Sequence, residues 1–196
     1  RGLKLAKGDY IVFADADDYL PDKEIFCKYI NLAEQTDADI VVSNYARLWK
    51  DKILPATKHH SFALCSPSSE EFRFQGFFSV GTLSYAWGKL YRREFLRNHQ
   101  IYFEDLSYAE DKLFNMQCYI CDAKYAFLED IGYIYRKNDM SVSWQYRPDS
   151  VENWFKLVYE LKSWIEKKDK DPKEYTPLIG YLLVFAAFFD GKMEYM

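Results

Sequence analysis

Cysteine is scarce. The four present (Cys27, Cys65, Cys118 and Cys121 in 196 residues) do not make the framework of a disulfide-stapled domain at this length. Cys118 and Cys121 have CxxC spacing, but no second pair completes a zinc site, so ordinary reduced thiols are expected, as in a cytoplasmic protein. Histidine is scarcer still, at three, and adjacent His59 and His60 point apart on a helix or a strand, which argues against a shared metal. There is no basic excess: 26 Lys and Arg face 30 Asp and Glu, a net charge of −4, which excludes a general nucleic-acid binder. No apolar run is long enough to cross a bilayer; the stretch from Leu178 to Phe189 suits a core helix or, at most, a peripheral membrane contact. A Gly-rich phosphate-cradling loop is absent, which weighs against a phosphotransferase. Internal repeats and low-complexity segments are also absent.

What is abundant is aromatic: 17 Tyr, 15 Phe and 5 Trp, 19% of the chain, within a hydrophobic share of 49%. So many rings fit a thick core first, and a carbohydrate-facing cleft or a membrane-proximal surface second. The length suits one domain, or one domain with a small appendage.

The run Tyr10-Ile11-Val12-Phe13-Ala14 has no polar alternation and reads as a strand buried on both faces. Upstream, residues 1–8 read as the last turns of a helix stopped by Gly8. Three carboxylates, Asp15, Asp17 and Asp18, follow the strand, where open α/β sheets bind ligands beyond the carboxyl ends of their strands. Asp22 can cap a helix of about 23–35 with an apolar stripe of Ile25, Phe26, Tyr29, Ile30 and Ala33. After the turn Asp37-Ala38-Asp39, Ile40 to Tyr45 is a second buried strand, so a parallel βαβ pair is expected. Residues 46–66 read as an edge excursion or loop, and Ser68 to Glu71 can open a short helix up to about Phe78. Ser84 to Leu96 suggests a short strand leading into a short helix, and Asp111 opens an amphipathic helix. Two strands, Lys124–Leu128 and Ile131–Tyr135, then precede helices of about 150–169 and 173–190.

Asp15 and Asp17 place two carboxylates on one side of an extended segment, with Asp18 turned away or toward the next loop. Close carboxylates repel unless a cation neutralises them, and hard oxygen ligands suit Mg²⁺ or Mn²⁺ sharing the phosphates of a substrate. Glu110 and Asp111 read by default as a helix cap or dipole partners; their functional alternative is a general base.

Residues 1–20, with the sequence Tyr10-Ile11-Val12-Phe13-Ala14-Asp15-Ala16-Asp17-Asp18 at their centre, resemble the central signature of family 2 glycosyltransferases. The similarity continues through Ala86 to Arg92, Tyr108 to Phe114, Gly132 to Arg136, and Ser141 and Ser143, covering about residues 1–145. The resemblance implies a GT-A-like α/β fold: a mostly parallel, Rossmann-like sheet flanked by helices. It also implies inverting transfer of a sugar from a nucleotide sugar, a UDP-sugar first, to a saccharide or lipid-linked acceptor, in bacterial surface-polysaccharide synthesis at the inner face of the cell membrane. By the same resemblance Asp17 and Asp15 would hold Mn²⁺ or Mg²⁺ and, with Asp18, the nucleotide diphosphate. Asp111, with Glu110 beside it, would deprotonate the acceptor hydroxyl; Trp87 would stack on a sugar, against the reading of its residue type as a core aromatic, and Lys89 or Arg136 would face phosphate, against a solvated or ion-paired placement. The family's first two βα units have no counterpart here, so the chain is expected to be a partial copy, with a GT-A-like part at 1–145 and a helical extension at 146–196. Some enzymes of this fold use a late histidine as a metal ligand; Asn138 and Ser141 occupy that neighbourhood. The competing expectation is a non-catalytic carbohydrate-binding or scaffold module on the same fold.

Overall fold

A computed structural model describes residues 2–58, 77, 80–137 and 148–194. The sheet is laid around β2, Ile40–Trp49, whose first seven residues are all buried. Its alternation serves two layers. Ile40 and Val42 join the main core, while Val41 joins Leu90 and Ala126 beneath a helix on the other face. That helix, α2 (Ile25–Thr36), follows the acidic tip and buries Ile25, Tyr29 and Ala33. The Asp22 carboxylate accepts from the Glu24 and Ile25 N–H groups at 2.7 and 3.0 Å, the expected N-terminal cap. Phe26 lies outside the expected stripe at 39% exposed, because it is turned round the helix from the buried line of Ile25, Tyr29 and Ala33. The chain leaves α2 through Asp37 in the left-handed region (φ 52°) and returns at once into β2.

The sheet is mixed rather than mostly parallel. β1 (Tyr10–Val12) and β2 do not pair; β4 (Lys89–Arg92) enters between them, antiparallel to both. The adjacency expected of the βαβ unit therefore fails, while β2 does pair in parallel with β5 (Tyr125–Arg136). β1 is shorter than expected and buries only Ile11 in the strand, since among the described residues it has a neighbour on one side alone. A groove of about 520 Å³ runs along this strand, lined in part by Leu3, Ala6, Ile11, Phe13 and Phe103. The helix preceding it, α1 (Gly2–Leu5), ends before Gly8.

Two features of the sheet were not foreseen. β2 runs on to Trp49 and turns through Lys50 and Asp51, both at positive φ (47° and 61°), into β3 (Lys52–Pro55), with Trp49 opposite Lys52. This is a two-residue hairpin of the kind that needs left-handed backbone at both central positions. The two strands expected at 124–135 are one strand, β5, with an irregularity at the expected join. Val42 pairs with Phe127 and Asn44 with Ile131, so two steps of β2 match four of β5. Asn44 Nδ2 donates to the Glu129 carbonyl at 2.9 Å and satisfies the displaced backbone.

The second layer covers the opposite sheet face. A short α3 (Val80–Leu83) leads to β4, and α4 (Arg93–Asn98) follows it, the strand-then-helix order expected. From Lys112 to Ile120 every residue of α5 (Glu110–Ile120) is buried, so it is the central helix of this layer. α6 (Ser150–Lys167) and α7 (Thr176–Glu194) contribute Trp154, Leu157, Leu161, Trp164, Leu178, Leu182 and Ala186 to the same core. On α7, Leu183, Val184 and Phe188 remain exposed, so apolar side chains stand on its outer face as well as on its buried one. Among the described residues no helix is long and apolar enough to cross a membrane. Cys118 and Cys121 are free buried thiols and Cys27 a free exposed one. His59, His60, Cys65, the expected helix start at Ser68, and Asn138, Ser141 and Ser143 lie outside the described residues.

Candidate active site

The acidic loop turns tightly, with the Asp18 N–H donating to the Asp15 carbonyl at 3.2 Å. It is held from 118 residues away in sequence by the far half of β5. The Asp15 N–H donates to the Tyr133 hydroxyl at 2.9 Å, and the Arg136 N–H donates to Asp18 Oδ1 at 2.7 Å. Tyr19 and Ile134 exchange backbone hydrogen bonds at 3.3 and 2.9 Å, closing a small antiparallel bridge behind the loop. Phe13, just before the loop, packs edge-on against Tyr91, Phe103 and Phe114. Asp15 and Asp17 are exposed; Asp18 is half-buried, with its buried Oδ2 beside the Tyr133 hydroxyl.

The second acidic group meets the first. Asp111 is not a helix cap: the residue before α5, Ala109, has φ 61°, and no side chain caps the helix. The Asp111 carboxylate instead reaches sideways, accepting from the Ala86 N–H at 2.9 Å through Oδ2. Burial pushes its pKa up to about 6, the Ala86 N–H and buried Lys89 pull it down, and the charges of Glu110 and Asp15 push it up. The Asp15 pKa is raised as well, first by burial, then by Asp18, Asp17 and Glu110. Burial also raises that of Asp18, against the Arg136 N–H and Tyr133. Glu110 and Asp111 thus share one electrostatic neighbourhood with the acidic loop.

The Leu83–Trp87 backbone beside Asp111 is fixed by side chains from α5 and β4. Asn115 Nδ2 donates to the Leu83 and Tyr85 carbonyls at 2.8 and 3.0 Å, and the Tyr91 hydroxyl donates to the Ala86 carbonyl at 3.1 Å. Lys89 is part of this scaffold. It is 1% exposed, its ammonium bonds the Tyr85 carbonyl, and burial pulls its pKa down to about 7 despite the charge of Asp111. A side chain so enclosed cannot face a donor phosphate, so that expectation is corrected. Trp87 is corrected too, for a geometric reason. Tyr85 stacks on it at 4.1 Å and Tyr133 at 4.5 Å, with interplanar angles of 12° and 10°. Two coplanar rings that close cannot share one face, so both faces of the indole are covered and none is left for a sugar. Arg136 is exposed beside the acidic loop, with its guanidinium over the Tyr19 ring at 5.8 Å.

Among the described residues no set of three or more His, Cys, Asp or Glu side chains is arranged to hold a metal ion unaided. The neighbouring carboxylates of Asp15 and Asp17, whose charges repel, are hard oxygen ligands of the kind of which Mg²⁺ or Mn²⁺ takes one or two when water and substrate phosphates complete its shell. Sequence reasoning missed Tyr133, Tyr91 and Asn115, which carry no charge to mark them. The one signal available was Tyr133's place inside the Gly132–Arg136 motif.

The model of the glycosyl transferase family 2 matches residues 1–100. The chain is 32% identical over 165 residues to the uncharacterized glycosyltransferase EpsJ of Bacillus subtilis, covering 82% of this chain and 47% of that protein. It is 24% identical over 190 residues to the putative glycosyltransferase EpsH of the same organism, covering 94% and 53%. The chain thus spans about half the length of these curated relatives. Its fold is that of S. aureus TarS residues 1–349, solved in complex with UDP-GlcNAc, with a TM-score of 0.71, 18% identity, and coverage of 92% of this chain and 49% of that one. A GT-A-like mixed sheet, an acidic loop at a strand end and a family model matching half its length lead to one assignment: the chain belongs to glycosyl transferase family 2.

Proposed function

We propose that this chain carries the diphosphate-gripping and acceptor-activating side of an inverting sugar transferase that works on a bacterial surface polysaccharide at the inner face of the cell membrane. The observation that carries the reading is the meeting of Asp111 with the Asp15–Asp18 loop, in a setting that raises its pKa to about 6. A carboxylate so tuned is ionised at neutral pH yet basic enough to take a proton, which suits a general base. The donor class, a UDP-sugar, is supported by the TarS complexes with UDP-GlcNAc and UDP.

In this reading Asp17 and Asp15 hold a divalent cation, Mn²⁺ or Mg²⁺, which when bound supplies positive charge against the departing diphosphate. Asp18 keeps the loop in shape through the Arg136 N–H, and the exposed Arg136 guanidinium, over the Tyr19 ring, is the cation offered to a phosphate oxygen. Asp111, held by the Ala86 N–H, takes the proton of the acceptor hydroxyl. The acceptor oxygen bonds to the anomeric carbon from the face opposite the leaving group. The bond to the nucleoside diphosphate breaks with its electron pair, which gives inversion. Glu110 sits beside Asp111 and keeps its basicity up.

The test is made in the full-length protein. Asp111→Asn is expected to lower kcat by about 10²–10⁴-fold while donor binding stays within about twofold, because general-base catalysis is worth that much. Asp17→Ala is expected to remove Mn²⁺-dependent donor binding in calorimetry. Wild-type turnover in both variants overturns the reading; sugar binding indifferent to a chelator would favour a non-catalytic carbohydrate-binding module.

A further inference from the structure

Past the acidic loop the sheet presents a second convergence of side chains. In the parallel register Tyr45 lies beside Tyr133 and Arg47 beside Tyr135, which sets these four on one face. Trp87 lies flat against Tyr133 and Tyr135, at 4.5 and 5.8 Å, and Tyr85 covers its other side at 4.1 Å. Tyr45 meets Trp87 and Tyr85 edge-on at 4.9 and 5.8 Å. Arg47 is exposed at the margin of this group. Its guanidinium lies 5.8 Å from the Tyr45 ring centre, and Nη2 donates to the Tyr45 hydroxyl at 3.2 Å. The phenol groups of Tyr45, Tyr85 and Tyr135 all act on it, raising its pKa against the effect of burial. Among the described residues no carboxylate lies within ion-pair distance of Arg47.

Among the described residues this cation has no carboxylate partner, and it lies beside phenol side chains on a rigid aromatic floor. The floor adjoins the proposed base, for Tyr85 is the residue before Ala86, whose N–H holds Asp111. A guanidinium fork matches the paired oxygens of a phosphate or carboxylate, and phenol hydroxyls bond the hydroxyls of a polyol. We propose that Arg47, steadied by the buried Tyr45 hydroxyl, forms with the half-buried Tyr85 and Tyr135 an acceptor subsite for a polyhydroxylated molecule that carries an anionic oxygen group, phosphate or carboxylate. The inference rests on the sugar-transfer reading for the word acceptor, but not for the binding itself.

The experiment is therefore a binding one, on the full-length protein without donor, following tryptophan fluorescence. The probes are glycerol 1-phosphate and glucuronate, with glycerol and glucose as their neutral counterparts. Arg47→Ala is expected to weaken the anionic probe that binds by at least about tenfold, the usual cost of losing a charge-assisted hydrogen bond. Arg47→Lys, which keeps the charge and loses the fork, is expected to fall between. Glycerol 1-phosphate binding alone identifies the phosphate-bearing acceptor class, and glucuronate alone the carboxylate-bearing one. Neither anion saturating in the wild type, equal binding in Arg47→Ala, or an equal Arg47 dependence for glycerol and glucose overturns the proposal. Arg47 is exposed, so unchanged circular dichroism and Tm serve as the folding control. Were Asp17→Ala and Asp111→Asn to keep full turnover while Arg47 still governed anion binding, the transfer reading would fall and the anion subsite would stand.

Discussion

Gly132 is the position where a single methyl group is expected to do most damage. A Cβ there would stand 2.2 Å from Ser43 Oγ, 2.3 Å from the Tyr29 hydroxyl and 2.6 Å from Ser43 Cβ, each well inside ordinary contact. Both neighbours are buried, Tyr29 at 0% and Ser43 at 2% exposed, and their hydroxyls bond each other at 2.6 Å. The side chains cannot move apart without breaking that bond. Overpacking of this kind costs about 1–3 kcal/mol, and a buried hydroxyl left unpaired a further ~1–3 kcal/mol. Gly132→Ala should therefore destabilise by about 4 kcal/mol, read as a lower urea midpoint at unchanged m-value. The sign is informative, because removing glycine's unfolded-state freedom would on its own stabilise by about 0.4–1 kcal/mol. Ser43→Gly removes two of the three clashes, so in a double-mutant cycle it should cost at least ~1 kcal/mol less in the Gly132→Ala background than in the wild type. A loss below about 1 kcal/mol for Gly132→Ala, or strict additivity in the cycle, refutes the packing described at the second half of β5.

Two further outcomes follow from the same region. Lys89 holds its proton less tightly in the fold, at about 7, than its ordinary 10.5, so between these values the unfolded chain binds the proton that the folded chain has released. Stability from this group then rises with pH by up to ~1.4 kcal/mol per unit across that window and is lost as pH falls towards 7. Lys89→Met removes the slope: from pH 7 to 9 the wild type should gain about 2 kcal/mol relative to the variant in urea unfolding, and parallel curves would show that Lys89 stays charged when buried. Tyr133→Phe keeps the stack on Trp87 and deletes the acceptor for the Asp15 N–H, so it should cost about 1 kcal/mol of stability and weaken Mn²⁺-dependent UDP binding about tenfold. Wild-type UDP affinity in that variant would mean that the loop holds its shape without β5.

Local chemistry was the legible part. The Asp22 cap, the helical spacing of Ile25, Tyr29 and Ala33, and the both-face burial of Ile40 to Tyr45 each depend on neighbours within a few residues, and each is found. The acidic tip after β1 was visible because three carboxylates at a strand end have no packing use. What the sequence hid depends on partners far along the chain. Nothing in Lys89-Leu90-Tyr91-Arg92 says that this strand enters between β1 and β2. The hairpin turn was concealed because Lys50 and Asp51, rather than Asn-Gly, take the left-handed positions. Lys89 and Trp87 looked ligand-facing for the same reason that they are not: a lysine and an indole advertise polar and stacking chemistry. Here those capacities are spent inside the scaffold, on the Tyr85 carbonyl and on Tyr85 and Tyr133.

Asp111 shows how the balance turns when the partner is known. As the second residue of a helix it had every local reason to be a dipole partner, and its sequence could not say otherwise. The deciding fact is the Ala86 N–H, 25 residues upstream, which holds the carboxylate where the charge of Asp15 acts on it. The loop in turn owes its position to two successive register shifts in β5, where the six steps from Phe127 to Tyr133 match the three from Val42 to Tyr45 and the strand is re-aimed. Without those extra residues Tyr133 and Arg136 would sit further along the ladder, and neither the Tyr133 hydroxyl nor the Arg136 N–H would meet Asp15 and Asp18. A one-residue deletion at Glu129 or Asp130 tests this directly. It should swap the faces of the residues beyond it, leave β2 paired at Ile40 to Val42, and abolish Mn²⁺-dependent UDP binding. Retained binding would mean that the loop is shaped by its own turn and not by the strand behind it.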